Sequence, residues 1–333
     1  MSDDHGTPAQ PLPDLFQRWL EQVIGGGLPK ETKAVCGSCV MCQPDTWVWD
    51  VPDLAFHPDA RCCTYRPELW NFQVGAMLAD PGSVHPHGLR TVRERIASEG
   101  KPIGLVTPGD YRKRYAEALE GGQFGRDASL RCPHFVEEGH ACGIWAHRNA
   151  VCATWFCRHD RGAVGQGTWV AARELFSAVE LTLAFSMVSE LLPEGSAESW
   201  ESWTGTREAF YLATWEAARD LSWADLEPVA PAGLRLAVAG MQKVWSALRR
   251  SQLPERLQLR RADVVAVQGQ NVLVQGYVTH DPVNMPVVLW KQLLAFDGRP
   301  WTEVVEELRS KGIGIGEGAV RLLVDFDVLR GAE

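Results

Sequence analysis

Residues 132–159 read CPHFVEEGHACGIWAHRNAVCATWFCRH. Cys132, Cys142, Cys152 and Cys157 stand in this stretch beside His134, His140, His147 and His159. The remaining cysteines, Cys36, Cys39, Cys42, Cys62 and Cys63, lie between residues 36 and 63, and none follows Cys157. Cys36, Cys39 and Cys42 have the spacing C-x2-C-x2-C, and Gly37 and Ser38 allow a turn tight enough for successive thiolates to converge. That run opens like a bacterial ferredoxin motif, but Thr46 stands where its fourth cysteine would be. Neither stretch is a complete ligand set, so the sequence predicts one composite centre assembled from both. All nine cysteines are candidate ligands. The histidines are read as surface groups or as neighbours of the ligands. Arg148 and Arg158 flank the cysteines and are placed to compensate thiolate charge. Cys62 and Cys63, being adjacent, are poorly suited to the same tetrahedral ion, so one is expected to serve a cluster and the other a neighbouring site or the core.

The chain around these stretches is of ordinary composition. It has 333 residues, 45% of them hydrophobic and 23% charged, with a formal net charge of −9. The acidic balance speaks against a nucleic-acid backbone as the main partner. No segment has the apolar length of a membrane span, and the acidic, Pro-rich start lacks the pattern of a secretory signal. A cytoplasmic, thiol-preserving compartment is therefore expected, and the odd cysteine count with C-x2-C spacing points to ligation rather than disulfides.

The fold class expected is mainly α with a small β content. Residues 1–33 form a tail and a short amphipathic helix over 14–24 that packs on the metal domain. Residues 34–165 form a loop-rich cysteine-cluster domain, with a strand over 46–50 and helices from about 69–78, 90–99 and 110–120. His85 and His87 fall in an exposed Pro/Gly loop, and Asp45 and Asp50 read as surface residues. Residues 166–255 are helical: 168–192 with Thr168 as cap, 206–220 and 232–251. Glu174 and Glu180 on the first of these helices read as solvated charges. Residues 256–333 open with a hairpin (262–267 and 271–278) and continue with helices over 286–296, 302–310 and 319–329.

Two resemblances follow from these motifs. The C-x2-C-x2-C run, Cys132-Pro133 with Phe135, Cys142 with Ile144-Trp145, and Arg148 four residues before Cys152 resemble the YkgJ-like cysteine-cluster family, described as zinc- or iron-chelating, whose relatives include flagellin lysine N-methylases. The likeness covers about residues 34–160 and implies Cys36, Cys39, Cys42, Cys62 or Cys63, Cys132, Cys142 and Cys152 as ligands. The adjacent pair that closes the family's first motif stands here twenty residues beyond Cys42, as Cys62-Cys63, and Cys157 is extra. Residues 258–331, with LLAFDGRPWTEVVEEL and LVDFDVL, resemble the PqqD-like winged-helix domains that recognise peptides. A peptide or protein substrate adding a strand to the hairpin is what that likeness implies.

Thiolates suit zinc and iron–sulfur clusters alike. Nine thiols exceed one zinc site, and Trp145, Trp155 and Phe156 supply aromatic shielding. The sequence reading is therefore a [4Fe-4S] cluster in preference to zinc, with room for a second metal. No catalytic residue can be named. A pocket lined by His and Arg beside the cysteines would favour an enzyme of peptide or protein modification. A shielded, closed centre would favour an electron-transfer accessory protein or a structural zinc scaffold.

Overall fold

The computed structural model describes residues 12–26, 30–34, 37–249 and 252–332. Cys36 and residues 1–11 of the expected tail lie outside the described residues; Leu12, just before the first helix, is buried. The structure is mainly α with a small β content.

The first helix, α1 (Asp14–Ile24), ends at Gly25, whose φ of 66° and N–H bond to the Glu21 carbonyl close the last turn. It buries Phe16, Trp19, Leu20, Val23 and Ile24. Its apolar face enters a core that includes Phe72, Ala150 and Ala153 of the cysteine-bearing part but is formed chiefly by helices from the middle of the chain, and Phe16 stacks on Phe176 at 4.5 Å.

From residue 37 to 66 the chain runs in turns and single 3-10 helical turns. The strand expected over 46–50 is instead a 3-10 turn over Trp47–Trp49. The Thr46 hydroxyl bonds to the carbonyls of both Val40 and Gln43 and fixes a bend that a strand could not follow. Next come β1 (Leu69–Trp70), α2 (Asn71–Ala79), α3 (Pro86–Glu99), β2 (Gly100–Lys101), β3 (Gly104–Leu105) and α4 (Gly109–Glu120). The three short strands form an antiparallel sheet in the order β1-β3-β2. His85 and His87 are not in a free loop: His85 caps α3, its Nδ1 accepting the His87 N–H, and His87 lies in the first turn. A hairpin, β4 (Phe135–Val136) and β5 (Ala141–Cys142), and a short α5 (Ala150–Thr154) complete this part.

A 30-residue helix, α6 (Gly162–Leu191), spans about 45 Å at 1.5 Å per residue and unites the cores. It begins six residues before Thr168, because Gly162 and Gly165 serve close packing rather than flexibility: a Cβ on Gly162 would stand 2.6 Å from the Asp325 carbonyl oxygen. The helices α7 (Arg207–Ala218), α8 (Trp223–Leu226) and α9 (Ala232–Leu248) follow. Trp169, Phe176 and Leu183 of α6 pack with α1 and α9 in one core, while Ala184 and Val188 join a second core with Val74, Val92, Phe210 and Tyr211.

The C-terminal part has its own core. Its strands are β6 (Arg256–Leu259), β7 (Val264–Gln268), β8 (Asn271–Val274) and β9 (Val283–Pro286), followed by α10 (Val287–Trp290), β10 (Asp297–Pro300), α11 (Trp301–Ser310), α12 (Glu317–Asp325) and β11 (Leu329–Gly331). The hairpin is present as β7 and β8, turning at Gly269 with φ 58°. Two antiparallel sheets result, β7-β8-β9 and β10-β6-β11. The helix expected over 286–296 is only one turn long, since residues 283–286 pair with β8 and draw the chain into strand. The last helix ends at Asp325, and Leu329–Gly331 pairs with β6.

Candidate metal centre

The loop bearing Cys39 and Cys42 is a turn closed by the Cys42 N–H on the Cys39 carbonyl, 2.9 Å. Met41, Val48 and Phe56 are buried beneath it, and Cys39, Cys42, Cys62 and Cys157 pack against them together with Trp155 and Phe124. The Cys42 thiol donates to the Phe56 carbonyl at 3.6 Å, and the Phe56 N–H donates to Met41 O. Before the adjacent cysteines, Arg61 takes a left-handed conformation (φ 53°), unusual for a residue with a Cβ. The turn it makes is held by N–H bonds from Arg61 to the His57 carbonyl and from Cys63 to the Ala60 carbonyl.

The two cysteine stretches meet directly. The Cys132 N–H donates to the Cys63 carbonyl at 2.7 Å, and the buried Tyr111 hydroxyl touches the carbonyls of both Thr64 and Leu130, 2.6 and 3.0 Å. Cys142 is set by β4–β5 pairing, opposite Phe135. That hairpin is pressed onto α3: a Cβ on Gly88 would lie 2.1 Å from the Gly143 carbonyl oxygen. Cys152 is set by α5, whose cap Asn149 accepts the Cys152 N–H through its side chain.

Electrostatics divide these thiols. Cys39 is pulled below the ordinary thiol range, first by its hydrogen bond with Cys42, with help from Arg61, while Cys42 is pushed up by the same bond and by burial. Cys62 is raised by its contact with Cys63 and by burial. The Cys62 contact lowers Cys63, but burial and the nearby Cys142, Cys132 and Cys152 outweigh it. Burial pushes Cys132 up to about 12 and raises Cys152 well above its usual range, each with neighbouring cysteines adding to the effect. Guanidiniums oppose these shifts: Arg95 and Arg66 at Cys132, Arg148 at Cys152. Arg148 stacks on Trp145 at 3.4 Å and bonds to the Trp145 and Cys152 carbonyls. Arg158 lies over Trp47.

Three histidines have ring nitrogens engaged elsewhere. Thr91 gives its proton to the Gly88 carbonyl, so it accepts from His134 Nδ1 at 2.8 Å; Arg95 donates to His134 Nε2 at 3.1 Å. Both nitrogens of His134 are therefore committed, and burial with the two arginines holds the ring neutral. Ser83 donates to Asp80 and accepts from His147 Nε2. Tyr277 donates to Asp281 and accepts from His159 Nδ1 at 2.8 Å, while burial holds His159 down to about 4. His140 packs against the Phe135 ring.

The His159–Tyr277 contact joins the cysteine stretch to the C-terminal part. Asp281 also accepts the His159 N–H at 3.0 Å, and Glu31 accepts the N–H of Asp160 and the indole N–H of Trp169. Asp281→Ala should cost about 2 kcal/mol, since it leaves a buried amide without an acceptor. Faster hydrogen exchange at residues 157–160 would report it, and unchanged exchange would contradict the assignment.

A cleft of about 570 Å³ opens onto Cys132 and is lined by His85, His87, Arg131, Phe135, Glu137 and Glu138 among others. Sequence reasoning missed the groups that hold the site in place. Glu180 is not solvated: it is 2% exposed and accepts from the Ala150 N–H, the Gln73 amide and the Trp70 indole. Arg95 is likewise buried, bonding to Glu99, to His134 and to the carbonyls of Pro67 and Leu105. Glu180 and Arg95 had no local signal in the sequence, whereas the Asn149 cap ahead of α5 had one. Among the described residues, no group of three or more His, Cys, Asp or Glu side chains is arranged to hold a single metal ion. No family model, no curated protein and no solved structure matches the chain.

Proposed function

We propose that the chain is a cysteine-ligated iron–sulfur protein of the YkgJ-like kind, working in a reducing, cytoplasmic setting on a peptide or protein. The observation that carries this reading is the meeting of two thiol-bearing stretches, joined backbone to backbone at Cys63 and Cys132, with guanidiniums beside the thiols. The donor chemistry fits: sulfur ligands, aromatic walls and cations suit an anionic cluster. A bound cluster would supply one-electron chemistry. The protein's part is to bury the thiols and to offset their charge through Arg61, Arg66, Arg95 and Arg148, with the cleft lying beside buried Cys132. That cleft, with its histidines and Arg131, favours a protein with its own substrate over a closed scaffold.

The C-terminal part supplies a means of holding a peptide. In the β7-β8-β9 sheet, β7 is an edge strand, and Val264 and Val267 on it are exposed. An extended peptide can add to such an edge by main-chain hydrogen bonds, which supports the PqqD-like, winged-helix reading of this unit.

Binding to the folded state alone must raise stability. Reconstitution with iron and sulfide should therefore raise the unfolding free energy by at least about 4 kcal/mol, the linkage at a thousand-fold excess over Kd. Thermal unfolding before and after anaerobic reconstitution reads it. An unchanged midpoint would remove the cluster reading.

A further inference from the structure

Arg112, Arg131 and Arg161 each lie against a carboxylate, those of Glu68, Glu137 and Asp325. Among the described residues Arg158 and Arg126 have no such partner, although the chain carries a net charge of −9. Arg126 donates through Nη1 to the Gly122 carbonyl at 2.7 Å, but its Nε is buried and unpartnered. On Arg158 both Nε and Nη2 are buried and unpartnered. These two nitrogens form one edge of the guanidinium, the fork that takes two oxygens of a carboxylate or phosphate side by side. Buried donors of this kind cost free energy until an acceptor meets them. The two arginines come from separate elements, Arg126 from the turns after α4 and Arg158 from the stretch after α5, and both act on His280, in the connection between β8 and β9. Burial lowers the His280 pKa and the two guanidiniums lower it further, against Asp281 and the Cys157 carbonyl. The ring is therefore neutral and has one N–H to give. Asp281 is already engaged by the Tyr277 hydroxyl and the His159 N–H. The Arg158 guanidinium lies 6.0 Å from the centre of the Trp47 ring, which supplies an apolar side.

We propose that Arg158, with Arg126 and His280 beside it, binds an oxyanion, the carboxylate or phosphate group of a small ligand, through its Nε–Nη2 fork. Charge-assisted bonds from the fork hold two oxygens, and the second guanidinium adds charge. The anion would sit where the cysteine-bearing part meets the C-terminal unit and would tie three separate segments together. Binding to the folded state alone, it would also stabilise that state. The proposal stands apart from the cluster reading, because it uses no thiol.

The test is calorimetric titration of the full-length protein with inorganic phosphate and, separately, with acetate. Chloride at matched ionic strength is the control, since screening follows ionic strength alone. The expected result is saturable binding of phosphate, of acetate or of both, with none for chloride. Phosphate alone points to a phosphorylated ligand, and acetate alone to a carboxylate. Arg158→Met should weaken the binding at least about tenfold, the worth of a charge-assisted hydrogen bond. Arg158→Lys keeps the charge without the fork and should weaken it as well. Arg112→Met, at an arginine paired on the surface, should bind as wild type does. Binding of neither anion overturns the proposal. So does wild-type affinity in Arg158→Lys, which would mean that charge alone is felt. Should Arg158→Met not fold, the wild-type titration and the Lys variant decide. Absence of iron and sulfide would sink the cluster reading and leave this result untouched.

Discussion

Glu180→Ala should destabilise the protein by about 4 kcal/mol, because it strands three buried donors at once and leaves a cavity. The carboxylate sits in the middle of α6 and accepts from the first N–H of α5 at 2.7 Å, from Gln73 at 2.7 Å and from Trp70 at 3.1 Å. It thereby ties α6 to α2 and to the short helix that bears Cys152. Glu180→Gln keeps the acceptor that serves Ala150 and Gln73 and should cost about 1 kcal/mol, the worth of one hydrogen bond. The pH dependence separates the two variants further. Burial raises the Glu180 pKa from 4.5 to about 8, with its three donors pulling the other way. A carboxyl whose pKa is raised on folding binds its proton more tightly in the folded state. Its contribution is thus complete below pH 4.5 and lost as the pH rises to about 8. Glu31, raised from 4.5 to about 7 by burial, adds a loss over an overlapping window. Chemical denaturation between pH 5 and 8.5 should show falling stability in wild type and a shallower fall in Glu180→Gln. A Glu180→Ala cost below about 1 kcal/mol would contradict the assigned network.

Gly75→Ala should cost about 3 kcal/mol, the upper end for overpacking a core. An added Cβ would stand 1.9 Å from the Tyr211 carbonyl oxygen and 2.7 Å from Trp215 Cβ, and neither atom lies at the end of a flexible side chain. Helices α2 and α7 touch there backbone to backbone, so one must move away. Tyr211 is fully buried, and its hydroxyl holds the Lys101 carbonyl at 2.7 Å, so the displacement reaches the β1-β3-β2 sheet. Thermal and denaturant unfolding should both register the loss, whereas Gly240→Ala, in open space on α9, should be neutral or stabilising. Equal behaviour of the two variants would contradict the packing.

What the sequence disclosed depended on how local the cause was. The helices over 14–24 and 206–220 were legible because Gly25 stops the first and Thr206 caps the second by accepting the Ala209 N–H. The 46–50 segment was misread because Thr-Trp-Val-Trp-Asp alternates like a strand, while the bend comes from the Thr46 hydroxyl reaching back to Val40. The helix was read as starting only at Thr168, after the glycines from 162 to 167, yet Gly162 is small so that α6 can lie against residues 325 and 326. Glu180 read as solvated because its partners are 30, 107 and 110 residues away. The cysteines were legible as a group from composition alone. Their pairing across the Cys63–Cys132 bond was not, because a main-chain contact leaves no side-chain signature.

The central claim is that these thiols hold iron and sulfide. Its most direct test is quantification of iron, acid-labile sulfide and zinc in full-length protein purified without oxygen. The account predicts a brown protein with iron and sulfide in equal amounts and little zinc. A colourless protein with stoichiometric zinc and no sulfide would contradict it.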